Sequence, residues 1–208
     1  NVPDVPAPEK ATLQATLRQG QRTVNNQWDL WLLPKAADLP ASIAIYGQPK
    51  YTWLKDIDHL PTITSDTLAR SNQMPALLTE RIDGPLVEYV RAGGRVVLAA
   101  SEGFVRPSRS KLGLQDFYYF TPPANYPTYE DGQNGTIIAD HPVLGDFPHE
   151  GFADLQFFRL IRSAPPLDLE GLGLNRGDPV IRVLHCYPIS RPLAYLAECS
   201  LGRGTVIF

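Results

Sequence analysis

Residues 83–103, DGPLVEYVRAGGRVVLAASEG, constrain the fold more than any other stretch of this 208-residue chain. Asp83 is placed to cap a helix, with Pro85 in its first turn, and Leu86, Val87 and Val90 form one apolar face. Gly93 supplies the left-handed residue that ends the helix, and RVVLAA follows at once as a buried strand. A helix that stops at paired glycines and feeds an apolar strand is the building unit of an α/β sheet. The run ASIAIYG, beginning at residue 41, is apolar throughout and closed by glycine, which suits a parallel strand covered on both faces. The expected fold class is therefore α/β, a mostly parallel sheet flanked by helices.

Ahead of that unit the pattern is different. Leu13, Ala15 and Leu17 alternate with polar residues, Gln19, Gly20 and Gln21 form a turn, and a Trp-rich strand comes next, so residues 12–34 read as a β-hairpin. Trp28 and Trp31 then point to opposite faces of one strand, and at most one of them lies in a single core. The expected division is 1–38, a strand segment with a linker, and 39–208, the α/β domain. No internal repeat is visible, and residues 117–135 are too rich in Pro, Asn and Gly to be a regular element.

Composition excludes several function classes. A net charge of −3 with scattered Lys and Arg leaves no basic footprint for nucleic acid. No apolar run approaches the roughly 18 residues that span a bilayer, and NVPDVPAPEK lacks the pattern of a signal peptide. The chain stops inside the apolar run GTVIF, which reads as a piece cut from something larger.

Candidate chemistry is sparse. Asp140, His141, Asp146, His149 and Glu150 lie close in sequence and carry ligand chemistry for zinc or manganese, but their spacing follows no known ligand frame. Pro142, Gly145 and Pro148 mark the same stretch as a turn-rich loop, so neither a metal nor another cofactor is expected. Asp56, Asp58 and His59 read as a solvated loop. No pair among the 22 acids stands out as the flanking carboxylates of a glycosidase. Phe117, Tyr118, Tyr119, Phe120, Tyr126 and Tyr129 cluster among prolines, and flat rings on stiff loops suit docking against another domain or stacking on a sugar. Docking is the favoured use.

Three segments carry a resemblance. TIIADHPVLGDFPHEGFADLQFFRLI, with His141, Pro142, Leu144, Phe147, Pro148, Glu150, Gln156 and Leu160, resembles a signature in the C-terminal region of bacterial family 2 glycoside hydrolases, the β-galactosidase and β-glucuronidase relatives. NNQWDLWLLP is similar to the strand that closes a β-sandwich in those enzymes, through Asn26, Trp28, Leu30, Trp31 and Pro34. Residues 179–208, ending LGRGTVIF, look like their final strands. Leu155 and Phe157 stand where the family often has Trp, and Phe152 where it often has His. The resemblance implies a non-catalytic accessory domain that packs against other domains of a parent chain or within a homo-oligomer. It also implies a periplasmic or extracellular setting, with the catalytic carboxylates on a barrel outside this chain. A carbohydrate-binding module is the alternative.

The 83–103 unit is also similar to one in class I glutamine amidotransferases, where the strand delivers a nucleophile on a sharp elbow. Here the elbow is Ala99, Ala100, Ser101, Glu102, Gly103. Ser101 replaces the thiol and no histidine-bearing run follows to serve as its base, so hydrolysis through Ser101 is a weak candidate. Pairing the last two long strands across PISRP, with Tyr187 opposite Leu193, places Arg182 against Glu198. It also keeps Cys186 and Cys199 apart as free, buried thiols.

Overall fold

The computed structural model describes residues 4–35, 39–40, 42–48, 57, 60–70, 74–99, 133–161, 166–170, 178–185 and 192–208. Residues 9–32 form a two-stranded antiparallel sheet, β1 (Glu9–Gln19) and β2 (Arg22–Leu32), reversing at Gly20, whose φ of 58° no β-branched residue would tolerate. The expected hairpin is present. Its alternation places Ala11, Leu13, Ala15 and Leu17 on one face, opposite Leu30, Trp28, Asn26 and Val24.

The second sheet has nine strands among the described residues. These are β3 (Ile43–Tyr46), β4 (Thr62–Ile63), β5 (Ala76–Thr79), β6 (Arg95–Leu98), β7 (Gln133–Ile138), β8 (Leu167–Asp168), β9 (Asp178–His185), β10 (Leu193–Leu201) and β11 (Gly204–Ile207). They run β4-β3-β5-β6-β11-β10-β9-β7, with β8 on β10. The five from β4 to β11 are parallel neighbours, and from β11 onward every pairing is antiparallel. Among the described residues helices are few: α1 (Ser65–Arg70), α2 (Gly84–Arg91), the short α3 (Phe158–Ile161) and two 3-10 turns at Pro142–Leu144 and Leu155–Phe157.

The expectation of a mostly parallel sheet flanked by helices is thus overturned. Among the described residues strands account for 47% and helices for 16%, in two sheets, one of them mixed. The reason lies in the connections. Leu201 and Gly204 bracket a two-residue turn with Gly202 at φ 64°, which returns the chain antiparallel, whereas a parallel return needs a crossover of a dozen or more residues. The β6 run is also less enclosed than its sequence implies: Val96 and Leu98 are buried, but Val97 is 40% exposed.

Around α2 the local reading holds. Asp83 is extended and its carboxylate accepts the Leu86 N–H at 3.1 Å, while Pro85 occupies the first turn. The helix ends at Gly93 (φ 115°), where Gly93 N–H donates to Val90 O and Gly94 N–H to Tyr89 O. Leu86, Tyr89 and Val90 face the core with Ala44, Tyr46, Leu68, Leu77, Val96, Leu98 and Val206. Tyr89 takes the place expected of Val87, which is half-buried, and its hydroxyl donates to Pro75 O.

A second core lies under the 139–157 segment. Ile138, Phe157, Ile161, Val180 and Ile181 are buried there, with Val143, Leu144 and Phe147 packed against them. Phe147 meets Phe157 edge-on at 4.8 Å between centroids.

The β9–β10 register differs from the one expected. Val183 faces Leu193, Arg182 faces Ala194 and Glu198 faces Asp178, a shift of four residues with irregularities near Leu196. Residues 186–191, which include most of PISRP, lie outside the described residues, and the described pair nearest to them is Val183 with Leu193. β10 must also offer its other edge to β8 at Leu193 and Ala194 and to β11 from Glu198 to Leu201. Its register therefore answers to three partners. Cys199 is free and half-buried; Cys186 lies outside the described residues.

Candidate functional surface

Among the described residues, the carboxyl edge of the parallel strands, where open α/β sheets bind ligands, carries one polar cluster. Tyr46, at the end of β3, is 2% exposed, and its hydroxyl donates to Asp83 at 2.9 Å. Arg81, just past β5, pairs with Asp83 at 3.3 Å and lies 5.2 Å over the Tyr46 ring. Its Nε sits where a Cβ on Gly47 would come within 3.0 Å, so glycine makes the seat for this guanidinium. Thr79 Oγ1 accepts the Arg81 N–H and lies 3.2 Å from the carbonyls of Tyr46 and Arg81. Burial, and then the hydrogen bond to Asp83, hold the Tyr46 phenol above its ordinary range. Asp83 already serves a phenol, a guanidinium and a helix N-terminus. The cluster clasps β3 and β5 to α2, and its carboxylate has little left to offer a substrate.

The 139–157 segment brings together residues that sequence reading considered for a metal. His141 Nε2 lies 3.3 Å from Glu198 of β10, and His149 Nε2 lies 3.8 Å from Asp140. Each ring uses Nδ1 to accept a backbone N–H, from Val143 at 3.2 Å and from Gly151 at 3.3 Å. With Nδ1 as acceptor, the neutral ring carries its proton on Nε2, where a metal would need a lone pair. No group of three or more metal-ligating side chains occurs among the described residues. The same segment shows what its signature residues do locally. His141 caps the 142–144 turn, Leu144 and Phe147 enter the core, and Gln156 donates to Pro148 O at 3.2 Å.

Glu150 fastens the hairpin. Lys10 of β1 reaches it at 2.7 Å and Asp29 of β2 at 3.0 Å, and lies 5.6 Å over the Trp31 ring. The hydrogen bonds to Glu150 and Asp29 raise the Lys10 pKa, and the bond from Lys10 lowers that of Asp29. Trp31 and Lys10 belong to the hairpin's polar face, together with the hydrogen-bonded pairs Thr12–Asp29 and Thr16–Asn25. The opposite face has no such closure. Leu13 is 53% exposed, Leu17 70%, Val24 62% and Trp28 45%. Trp28 and Trp31 do lie on opposite faces, as the alternation requires. These four side chains stand on one face of a ribbon whose outer edges pair with no described strand.

The profile of a family described as a domain of unknown function, DUF8487, matches residues 77–208. The chain belongs to that family. No curated protein matches it. The DUF8487 match takes in nearly all of β5 and everything through β11, hence the mixed part of the large sheet, while the hairpin, β3 and β4 precede it. Ser101 and the aromatic candidates Phe117, Tyr118, Tyr119, Tyr126 and Tyr129 lie outside the described residues, as does Phe120. Sequence reading singled out those rings and passed over the hairpin face. The signal for that face was present in the Ala-Leu-Ala-Leu alternation of residues 11–17 with Val24 and Trp28 across from it.

Proposed function

We propose that this chain is a non-catalytic accessory domain of a larger protein of the glycoside hydrolase type, and that its work is packing against neighbouring domains or subunits. The observation that carries the reading is the apolar hairpin face, with Leu13, Leu17, Val24 and Trp28 between 45% and 70% exposed. A lone two-stranded ribbon is at best marginally stable in water, and a face of this kind is stabilised when another sheet or domain covers it. Supporting it, the signature residues His141, Leu144, Phe147 and Gln156 are engaged in capping and packing, and Glu150 ties the hairpin to the 139–157 segment. The glycoside hydrolase parentage rests on the three sequence segments alone.

The test pairs an activity panel with a surface probe. The purified chain should turn over neither aryl-glycosides nor glutamine, and should bind an apolar fluorescent dye. A Leu17→Asp, Val24→Asp double variant should lose most of that dye binding while its circular dichroism stays unchanged. Turnover abolished by Ser101→Ala, or a wild-type chain that binds no dye, would overturn the proposal.

A further inference from the structure

The apolar face carries its own complement. Along β1 it reads Glu9, Ala11, Leu13, Ala15, Leu17, Gln19, and along β2 Leu32, Leu30, Trp28, Asn26, Val24, Arg22. Large and small residues alternate on β1 about a midpoint at residue 14, so end-to-end reversal exchanges position 11 with 17 and 13 with 15. We propose that the face is covered by a second copy of this chain, laid face to face and tip to base about a two-fold axis. The inference rests on the packing role proposed above and names its partner.

In that arrangement Leu17 of one copy meets Ala11 of the other, and Leu13 meets Ala15, so each β1 leucine finds a small residue opposite it, while on β2 Trp28 meets Asn26 and Val24 meets Leu30. The tip-to-tip alternative lays β1 over β2 and sets Leu13 against Trp28 and Leu17 against Val24, large upon large. Charge makes the same choice. Glu9 stands at the base of the face and Arg22 at its tip, and among the described residues neither has an ion-pair partner within its own chain. Reversal sets Glu9 over the other copy's Gln19, whose cross-strand neighbour is Arg22, while the tip-to-tip pairing sets Glu9 over Leu32, whose cross-strand neighbour is the other Glu9. Such closed two-fold contacts use the same patch on both partners.

The area sets the strength. Eleven-residue strands make a face roughly 35 Å long and about 15 Å wide including side chains, so two faces bury on the order of 1,000 Å², near the lower bound for a specific interface. Ala11 and Leu30, at the base, are half-buried and lend only part of their surface. A weak dimer follows, assembling at chain concentrations on the order of 10–100 µM.

Sedimentation equilibrium of the whole chain and its charge variants tests this. Wild type should show a monomer–dimer equilibrium. Glu9→Arg and Arg22→Glu should each weaken it at least about five-fold, and the double reversal should restore it to within about two-fold of wild type. Three results would overturn the proposal. They are a wild-type chain monomeric at 200 µM, single variants that dimerise as well as wild type, and a double reversal that stays as weak as the singles. A monomer that still binds the apolar dye through Leu17 and Val24 would discard the second copy while leaving the packing role intact. Open-ended oligomers would point to pairing through the ribbon's edges and would equally discard it.

Discussion

Gly204→Ala should be among the most damaging single-methyl additions available to this chain. Gly204 opens β11 where that strand crosses the end of α2, and a Cβ there would fall inside the van der Waals shells of Val90 O and Gly94 O, where ordinary contact begins at 3.4 Å. Both neighbours are backbone and cannot rotate aside. The strand would have to retreat from the helix by about 1 Å, at an overpacking cost of about 1–3 kcal/mol. That retreat breaks or stretches two backbone bonds at 3.1 Å, Thr205 N–H to Gly94 O and Arg203 N–H to Arg91 O, each contributing about 1 kcal/mol net. The expected loss is about 3–5 kcal/mol, a large share of the 5–15 kcal/mol typical of folded domains. Urea titration followed by circular dichroism reads it directly. The control is Gly20→Ala, where φ is 58° but nothing lies within 4 Å of the added methyl; its cost is about 1–2 kcal/mol from the left-handed backbone alone. If Gly204→Ala unfolds within 1 kcal/mol of wild type, the close approach of β11 to α2 is wrong.

Tyr46 and Tyr89 are both raised above the ordinary 10.0, in each case chiefly by burial. A raised folded-state value means that the neutral phenol stabilises the fold fully below about pH 10 and that this contribution is lost as pH climbs through the folded value. Stability measured from pH 9 to 12 should fall, and the Tyr46→Phe, Tyr89→Phe variant should flatten that fall; equal slopes would refute the link. Asp83→Ala removes the α2 cap together with the partners of Tyr46 and Arg81. It should lower stability by about 1–2 kcal/mol, more than Tyr46→Phe, which leaves the cap in place; an equal loss in the two variants would show that the cap contributes nothing.

Local features were the legible ones. The α2 caps at Asp83 and Gly93 and the hairpin reversal at Gly20 are decided within a few residues, by φ and by one side-chain oxygen, so the sequence carries them openly. The orientation of the last strands was harder, because an apolar run suits a parallel or an antiparallel neighbour alike. Only the two-residue reversal at Gly202–Arg203 settles it, and the second glycine of that turn region, Gly204, is needed for a helix distant in sequence. The β9–β10 register was misread because facing charges contribute only about 0.2–1 kcal/mol, less than the demands of β8 and β11 on the other edge of β10. Glu198 finds His141 instead, a partner that no strand pattern reveals. The hairpin face was missed for a different reason: alternation reports that one side of a ribbon is apolar, and is silent on whether the chain itself covers it.

Trp28 can report that directly. In a Trp31→Phe, Trp53→Phe variant it is the one remaining tryptophan, and it stands on the apolar face at 45% exposure. Acrylamide quenching of the dilute chain should then approach that of a solvent-exposed indole and should fall as the face is covered on assembly. A Trp28 already shielded in the dilute monomer, with quenching unchanged by Leu17→Asp, would mean that the chain covers this face itself and would contradict the packing role.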